Sequence, residues 1–280
     1  MRFIKRLLCF CFLATSILCV AQEEETDYLI NKAPFTIGET VTIFSKILNE
    51  ERVLNIYLPN AYDASKDKRY PVIYLLDGST DEDFIHIAGL VQFGSFSWIN
   101  MIPETIVIGI ANVDRKRDFT YPSNNERDKK EFPTTGGSEK FIDFIQNELF
   151  QFIEIEYQVS KEKTIIGQSL GGLLATEILL NKPELFDNYI IVSPSLWWDD
   201  ESLLKKTINL KSAPKSIYVA VGKEGEIMER VANELHLKLK ELSLPNTKLF
   251  YKFLDEQNHG DALHLAVYDA FEKIFRKKQK

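Results

Sequence analysis

Beyond residue 21 this chain of 280 residues has no cysteine, because Cys9, Cys11 and Cys19 all fall in the opening segment. A chain without thiols builds no disulfide, no thiol nucleophile and no cysteine-ligated metal site. Glycine and proline are scarce at 13 and 10 residues, which excludes collagen-like and low-complexity chains. Basic side chains are in deficit, 34 Lys and Arg against 41 Asp and Glu, for a formal charge of -7. Binding to a phosphate backbone draws on clustered Lys and Arg, so nucleic acid is not an expected partner. What is present, 45% hydrophobic and 27% charged residues, describes a globular protein long enough to bury one large α/β core or two small ones.

The opening segment has the layout of a secretory signal peptide. Arg2, Lys5 and Arg6 precede an apolar run from Leu7 to Val20, and Ala21 closes it ahead of Glu23, Glu24 and Glu25. The run is about 14 residues, short of the roughly 20 that span a bilayer. Cleavage after Ala21 is therefore expected, leaving residues 22–280 as one exported domain, periplasmic or secreted, with no membrane span. A lipid anchor on Cys19 is the alternative, disfavoured by the bulky Leu18 before it. Cleavage leaves 31 basic against 41 acidic side chains, a formal charge of -10.

Apolar and polar residues alternate over 39–46 and 52–59 around Asn49, Glu50 and Glu51, which predicts an antiparallel hairpin at a sheet edge. Continuous apolar runs follow at 70–76, 105–110, 164–166, 189–192, 216–221 and 248–254, the pattern of buried strands. Segments of helical period at 139–152, 170–180, 226–242 and 261–273 lie between most of them. Such alternation means βα units on a mostly parallel sheet with helices on both faces. No internal repeat or dividing linker is visible. The stretch 112–137, rich in charge and turn residues, reads as an irregular surface loop, either beside a functional site or a bland insertion.

One motif carries chemistry. The run Lys163–Ile166 leads into Gly167-Gln168-Ser169-Leu170-Gly171-Gly172, and helical periodicity starts at once. Strand, Gly-x-Ser-x-Gly, helix is a nucleophile elbow: a turn so tight that Ser169 is strained and its neighbours two residues away must be glycine. It raises the Ser169 hydroxyl above the sheet and points the Leu170 backbone N–H at a developing oxyanion. A serine hydroxyl needs a base. His86, His236 and His264 fall within predicted helices, His236 on a face expected to be solvated. His259 alone sits in a loop, between the last strand and the last helix, where this fold delivers its base. The acid that orients it should follow the preceding strand, where Glu224 and Glu226 are nearly equal candidates with a slight lean to Glu226; Asp255 is third. The second oxyanion donor is expected from the loop after the first buried strand, at the Ser79 N–H with Gly78 making room.

These residues resemble the esterase family of α/β hydrolases that includes the enterochelin (ferric siderophore) esterases, esterase D and the antigen 85 proteins. The resemblance runs through Tyr70–Gly78, then Asp114-Arg115 with Arg117-Asp118 and Thr120, then Ile166–Gly172, Ser193-Pro194-Ser195-Leu196-Trp197-Trp198 and Asn258-His259-Gly260. It is nearest to the siderophore-esterase-like branch. It implies the α/β-hydrolase fold with an eight-stranded core sheet, and serine ester hydrolysis through an acyl-enzyme without metal or cofactor. The substrate would be a small-molecule ester, siderophore-like or an acylated sugar. Trp197 and Trp198 follow the strand after the nucleophile helix and are candidates to wall its pocket, unless they pack the core. Arg115 and Arg117 are candidates to orient an anionic substrate, or else solvated loop charges. Acyl transfer in the same fold and a catalytically idle binding protein are the rival readings.

Overall fold

In the computed structural model, which describes residues 28, 30–60, 62–208, 210 and 212–276, the alternating segments become an opening hairpin. Strands β1 (Glu39–Ser45) and β2 (Glu50–Tyr57) pair antiparallel, and β2 pairs antiparallel with β4 (Ile106–Ile110). The remaining neighbours are parallel: β3 (Tyr70–Leu75), β5 (Val159–Gln168), β6 (Asn188–Val192), β7 (Ser216–Gly222) and β8 (Lys248–Leu254). The order β1-β2-β4-β3-β5-β6-β7-β8 makes one eight-stranded, mostly parallel sheet with an antiparallel edge, the expected α/β-hydrolase architecture. The described residues from Ile37 onward form one compact unit. The proposed signal peptide lies outside the described residues.

Both faces of the sheet are covered, as buried runs without alternation require. On one face α1 (Phe84–Ser95) and α9 (Ala262–Ile274) pack over Ile73, Val107, Ile190 and Tyr218. On the other lie α4 (Ser138–Phe144), a π-helical turn at Ile145–Leu149, α5 (Phe150–Glu156), α6 (Leu170–Asn181) and α8 (Glu226–Glu241), against Tyr74, Ile165, Ile191 and Val219. Each fully buried aliphatic side chain contributes roughly 1.5–3 kcal/mol over its exposed state. The central strands β4 and β6 are buried along their whole length.

The segment 112–137 departs from the expected irregular loop. It holds two short helices, α2 (Arg115–Phe119) and α3 (Glu126–Glu131), and buries Asp118, Phe119, Thr120, Ser123 and Asp128. Its anchor is Arg52 of β2, fully buried, whose guanidinium meets Asp118 at 2.5 Å and Glu50 at 2.6 Å and lies 5.1 Å from the Phe141 ring centroid. Arg117 joins the same group through Glu50 and Asp118. Arg117 and Asp118 are therefore internally paired, which a composition argument reads as solvation, while Glu126, Arg127, Lys129, Lys130 and Glu131 of α3 stay exposed. The cluster fixes α2 on the sheet, and α2 carries Arg115 to Asp77 and the Gln168 carbonyl, beside Ser169.

Glu177 of α6 is 7% exposed. Burial pushes its carboxyl up to about 7. The folded state thus favours the protonated acid, and the stability this contributes is complete below the ordinary glutamate range and lost as pH rises through about 7. Wild type should lose on the order of 2 kcal/mol between pH 4.5 and pH 8 from this group, while Glu177→Gln should not. Urea unfolding at the two pH values checks it, and identical pH dependence in the variant would refute the assignment.

Candidate active site

Strand β5 ends at Gln168 and α6 begins at Leu170; Ser169 between them has φ 59° and ψ -120°. A residue with a side chain pays about 1–3 kcal/mol for such a backbone and holds it only when its surroundings over-determine it. Here they do. The Ser169 N–H donates to the Val192 carbonyl at 3.1 Å, and the Ser169 carbonyl accepts from Leu173 at 2.9 Å and Ser195 at 3.0 Å. The turn closes because a Cβ on Gly167 would lie 2.3 Å from the Gly171 carbonyl oxygen. The Ser169 hydroxyl is 3.4 Å from the hydroxyl of Ser195, itself buried. The Leu170 N–H, first in its helix, has no intrahelical acceptor.

His259 occupies the loop between β8 and α9. The Gln168 side-chain amide donates to its carbonyl at 2.6 Å, tying the loop to the elbow. Its Nδ1 is 2.5 Å from Glu224 Oε2, with His259 48% and Glu224 2% exposed at their side chains. The other oxygen, Glu224 Oε1, accepts from the Gly222 N–H at 2.9 Å and from the Ser193 hydroxyl. Burial alone would raise the Glu224 carboxyl; hydrogen bonds from His259, Ser193 and Gly222 outweigh it and hold the group below its ordinary value. The imidazole therefore faces a charged, oriented acceptor.

The structure places the imidazole against Glu224, where the sequence reading named Glu224 and Glu226 with a slight lean to Glu226. Gly225, at φ 92°, turns the chain between them. Glu224 stays before that turn and folds back onto Gly222, whereas Glu226 leaves as the first residue of α8 and is exposed. Asp255 is exposed as well.

Ser169 and His259 line one cavity of about 370 Å³ together with Asp77, Glu82, Asp83 and Arg115. Arg115 does reach the site, but its charge is met there: Nε and Nη2 donate to the two Asp77 oxygens at 2.6 and 2.8 Å. Burial first, then the neighbouring Asp77 and Glu82 charges, push the Asp83 carboxyl up to about 6. The Ser79 N–H points to Glu82 Oε2 at a long 3.4 Å. Gly78 gives its room to strand β4, since a Cβ would lie 2.3 Å from the Gly109 Cα. Trp198 packs the core: it is 1% exposed and its indole N–H donates to the Tyr121 carbonyl at 2.9 Å. Trp197 lines a second, larger cavity.

His86 and His264 stack at 4.3 Å between ring centroids, joining α1 to α9. His236, expected on a solvated face, is half-buried with its ring 5.1 Å from Tyr251. Asp77, Glu82, Asp83, Ser193 and Ser195 are site neighbours that sequence reasoning did not single out. The signal for the two serines was the Ser-Pro-Ser motif and for Asp77 the run Tyr70–Gly78; Glu82 and Asp83 stand in no motif.

A family model described as "Putative esterase" matches residues 45–269. The ferri-bacillibactin esterase BesA of Bacillus subtilis is 35% identical over 255 residues, covering 83% of this chain and 88% of that protein. Among solved structures, the BES protein from Bacillus cereus superposes with a TM-score of 0.76 at 28% identity, covering 87% of this chain and 97% of that one. An IroE-like serine hydrolase from Shewanella oneidensis gives 0.74 at 30% identity, covering 85% and 80%.

Proposed function

This chain belongs to the esterase family and resembles siderophore esterases in sequence and fold, and we propose that it is an exported serine hydrolase cleaving a siderophore-type ester through an acyl-enzyme. The observation that carries the proposal is a strained serine at an elbow sharing a cavity with a histidine whose Nδ1 is 2.5 Å from a buried carboxylate. With Nδ1–H donated to Glu224, the imidazole keeps Nε2 free to accept a proton. Nε2 takes the Ser169 hydroxyl proton as Oγ attacks the ester carbonyl. The Leu170 N–H meets the developing oxyanion at the positive end of α6. Protonated His259 then gives its proton to the leaving alcohol, and water activated by the same nitrogen releases the acid. Export rests on the basic start and apolar run of residues 2–20; no helix among the described residues is long and apolar enough to cross a membrane.

Purified protein should hydrolyse a short-chain p-nitrophenyl ester and label with a fluorophosphonate probe. Labelling without product release would point to acyl transfer, and no labelling would sink the serine mechanism. The second oxyanion donor is proposed as the Ser79 backbone N–H. A backbone donor survives side-chain truncation, so kcat/KM of Ser79→Ala should stay within about twofold of wild type, where losing a donor costs ~3 kcal/mol. A hundredfold loss would show that the Ser79 hydroxyl, and not its N–H, serves the reaction.

A further inference from the structure

The run Ser193-Pro194-Ser195 follows β6, and none of its side chains is a reacting group in the proposed mechanism. Its first residue is strained. Ser193 has φ 44°, beside Ser169 after β5 with φ 59° and Asp77 after β3 with φ 55°. Since β3, β5 and β6 are neighbours in the sheet, three adjacent strand ends each carry a polar side chain on left-handed backbone. That conformation is unfavourable for serine and open to glycine, and it persists at places where the side chain is used. Asp77 meets Arg115, and Ser169 shares a cavity with His259.

Ser193 is 0% exposed, so its hydroxyl does not touch substrate. It donates to Glu224 Oε1, the oxygen that also takes the Gly222 N–H at 2.9 Å. The other oxygen, Oε2, stands 2.5 Å from His259 Nδ1. The last torsion of a glutamate is broad, so the plane of its carboxylate is set by its partners and not by the side chain itself. Two donors on Oε1 set that plane, whereas Gly222 alone would leave the group free to turn. Glu229 takes the Glu224 and Gly225 N–H groups at 3.0 Å, which holds the backbone of the loop and leaves the carboxylate to Ser193 and Gly222. Burial acts to raise the Glu224 carboxyl, and the bonds from His259, Ser193 and Gly222 lower it.

Ser193 is itself fixed against both ends of the triad. Its N–H donates to the Ala220 carbonyl at 2.7 Å, on β7, the strand that leads to Glu224. On the other side the Val192 carbonyl accepts the Ser169 N–H at 3.1 Å, and the Ser195 N–H donates to the Ser169 carbonyl at 3.0 Å. A Cβ on Gly172 would lie 3.0 Å from Pro194 Cα, so α6 packs directly on this turn. The segment therefore bridges the elbow and the acid through rigid backbone, and Ser193 carries that rigidity to the carboxylate.

We propose that Ser193 is a positioning residue that fixes the plane of the Glu224 carboxylate and, through it, the orientation and tautomer of His259. The proposal rests on Ser169, His259 and Glu224 acting together. It is tested with the full chain on p-nitrophenyl acetate.

Ser193→Ala should lower kcat by at least about tenfold, in line with the loss of a hydrogen bond to a charged group, with KM within about twofold of wild type. Ser193→Gly separates the hydroxyl from the backbone, because it loses the same donor and relieves the strain at φ 44°. It should be as slow as Ser193→Ala and melt at a higher temperature. In a Glu224→Ala background, Ser193→Ala should lower kcat by less than about twofold, since a residue that acts through a carboxylate has nothing to act on once that group is gone. Wild-type kcat in Ser193→Ala, recovery of kcat in Ser193→Gly, or an equal factor lost in both backgrounds would each overturn the inference and leave the triad standing. Wild-type kcat in Glu224→Ala would instead remove the triad, and the inference with it.

Discussion

With Ser169 replaced by alanine, hydrolysis of a short-chain ester should fall by roughly 10⁴- to 10⁶-fold, and His259→Ala should fall by a similar factor. The double variant should be no slower than the worse single one. Nucleophile and base act on one proton, so removing either removes the whole step, and what remains comes from the oxyanion donor and binding. Alanine at 169 keeps the same backbone demand as serine at φ 59°, so the melting temperature should barely move. That separates lost chemistry from lost fold. Activity within a few per cent of wild type in Ser169→Ala would place the nucleophile elsewhere, and additive losses in the double variant would break the link between the two residues.

Glu224→Gln should cost about 10²–10⁴ in kcat, whereas Glu226→Gln should change it by less than about twofold. The reason lies in the donors around Glu224. The Gly222 N–H and the Ser193 hydroxyl both point at Oε1, so a glutamine there must turn its carbonyl oxygen toward them. Its NH₂ then faces His259 Nδ1, which stands 2.5 Å from Oε2 in the native arrangement. An imidazole that accepts at Nδ1 carries its proton on Nε2 and cannot take one from Ser169. The isosteric change imposes the wrong tautomer, so Glu224→Gln should be at least as damaging as Glu224→Ala, where water can fill the gap. Steady-state kinetics on the three variants decides it. If Glu226→Gln were the slow one, the pairing described here would not be the working one. Because the carboxyl of Glu224 is held below the ordinary glutamate range, its contribution to stability is present above that range and lost only as pH falls through the lowered value.

The elbow was legible because everything that makes it is local. Glycine at 167 and 171, an apolar strand before and a helical period after are all within a dozen residues, and the strain at Ser169 follows from them. The loop position of His259 was legible for the same reason, as the gap between one apolar run and one helical segment. Glu224 against Glu226 was not, because the decision is made by the sign of φ at Gly225 and by partners at Ser193 and His259, 31 and 35 residues away. Trp198 looked like its neighbour Trp197 until its indole N–H found the Tyr121 carbonyl, 77 residues away in sequence.

Sequence alone thus determined the sheet, its antiparallel edge, its helix-covered faces and the elbow that presents Ser169. Periods of 2 and 3.6 residues, and the steric need for glycine, act between neighbours in the chain. Tertiary structure decided which acid faces His259, that Arg115 arrives already paired with Asp77, and that the charged stretch 112–137 folds onto a buried Arg52. Charge and hydrogen-bond partners are chosen in three dimensions, where a carboxylate buried beside a guanidinium and one left in water read as the same letter.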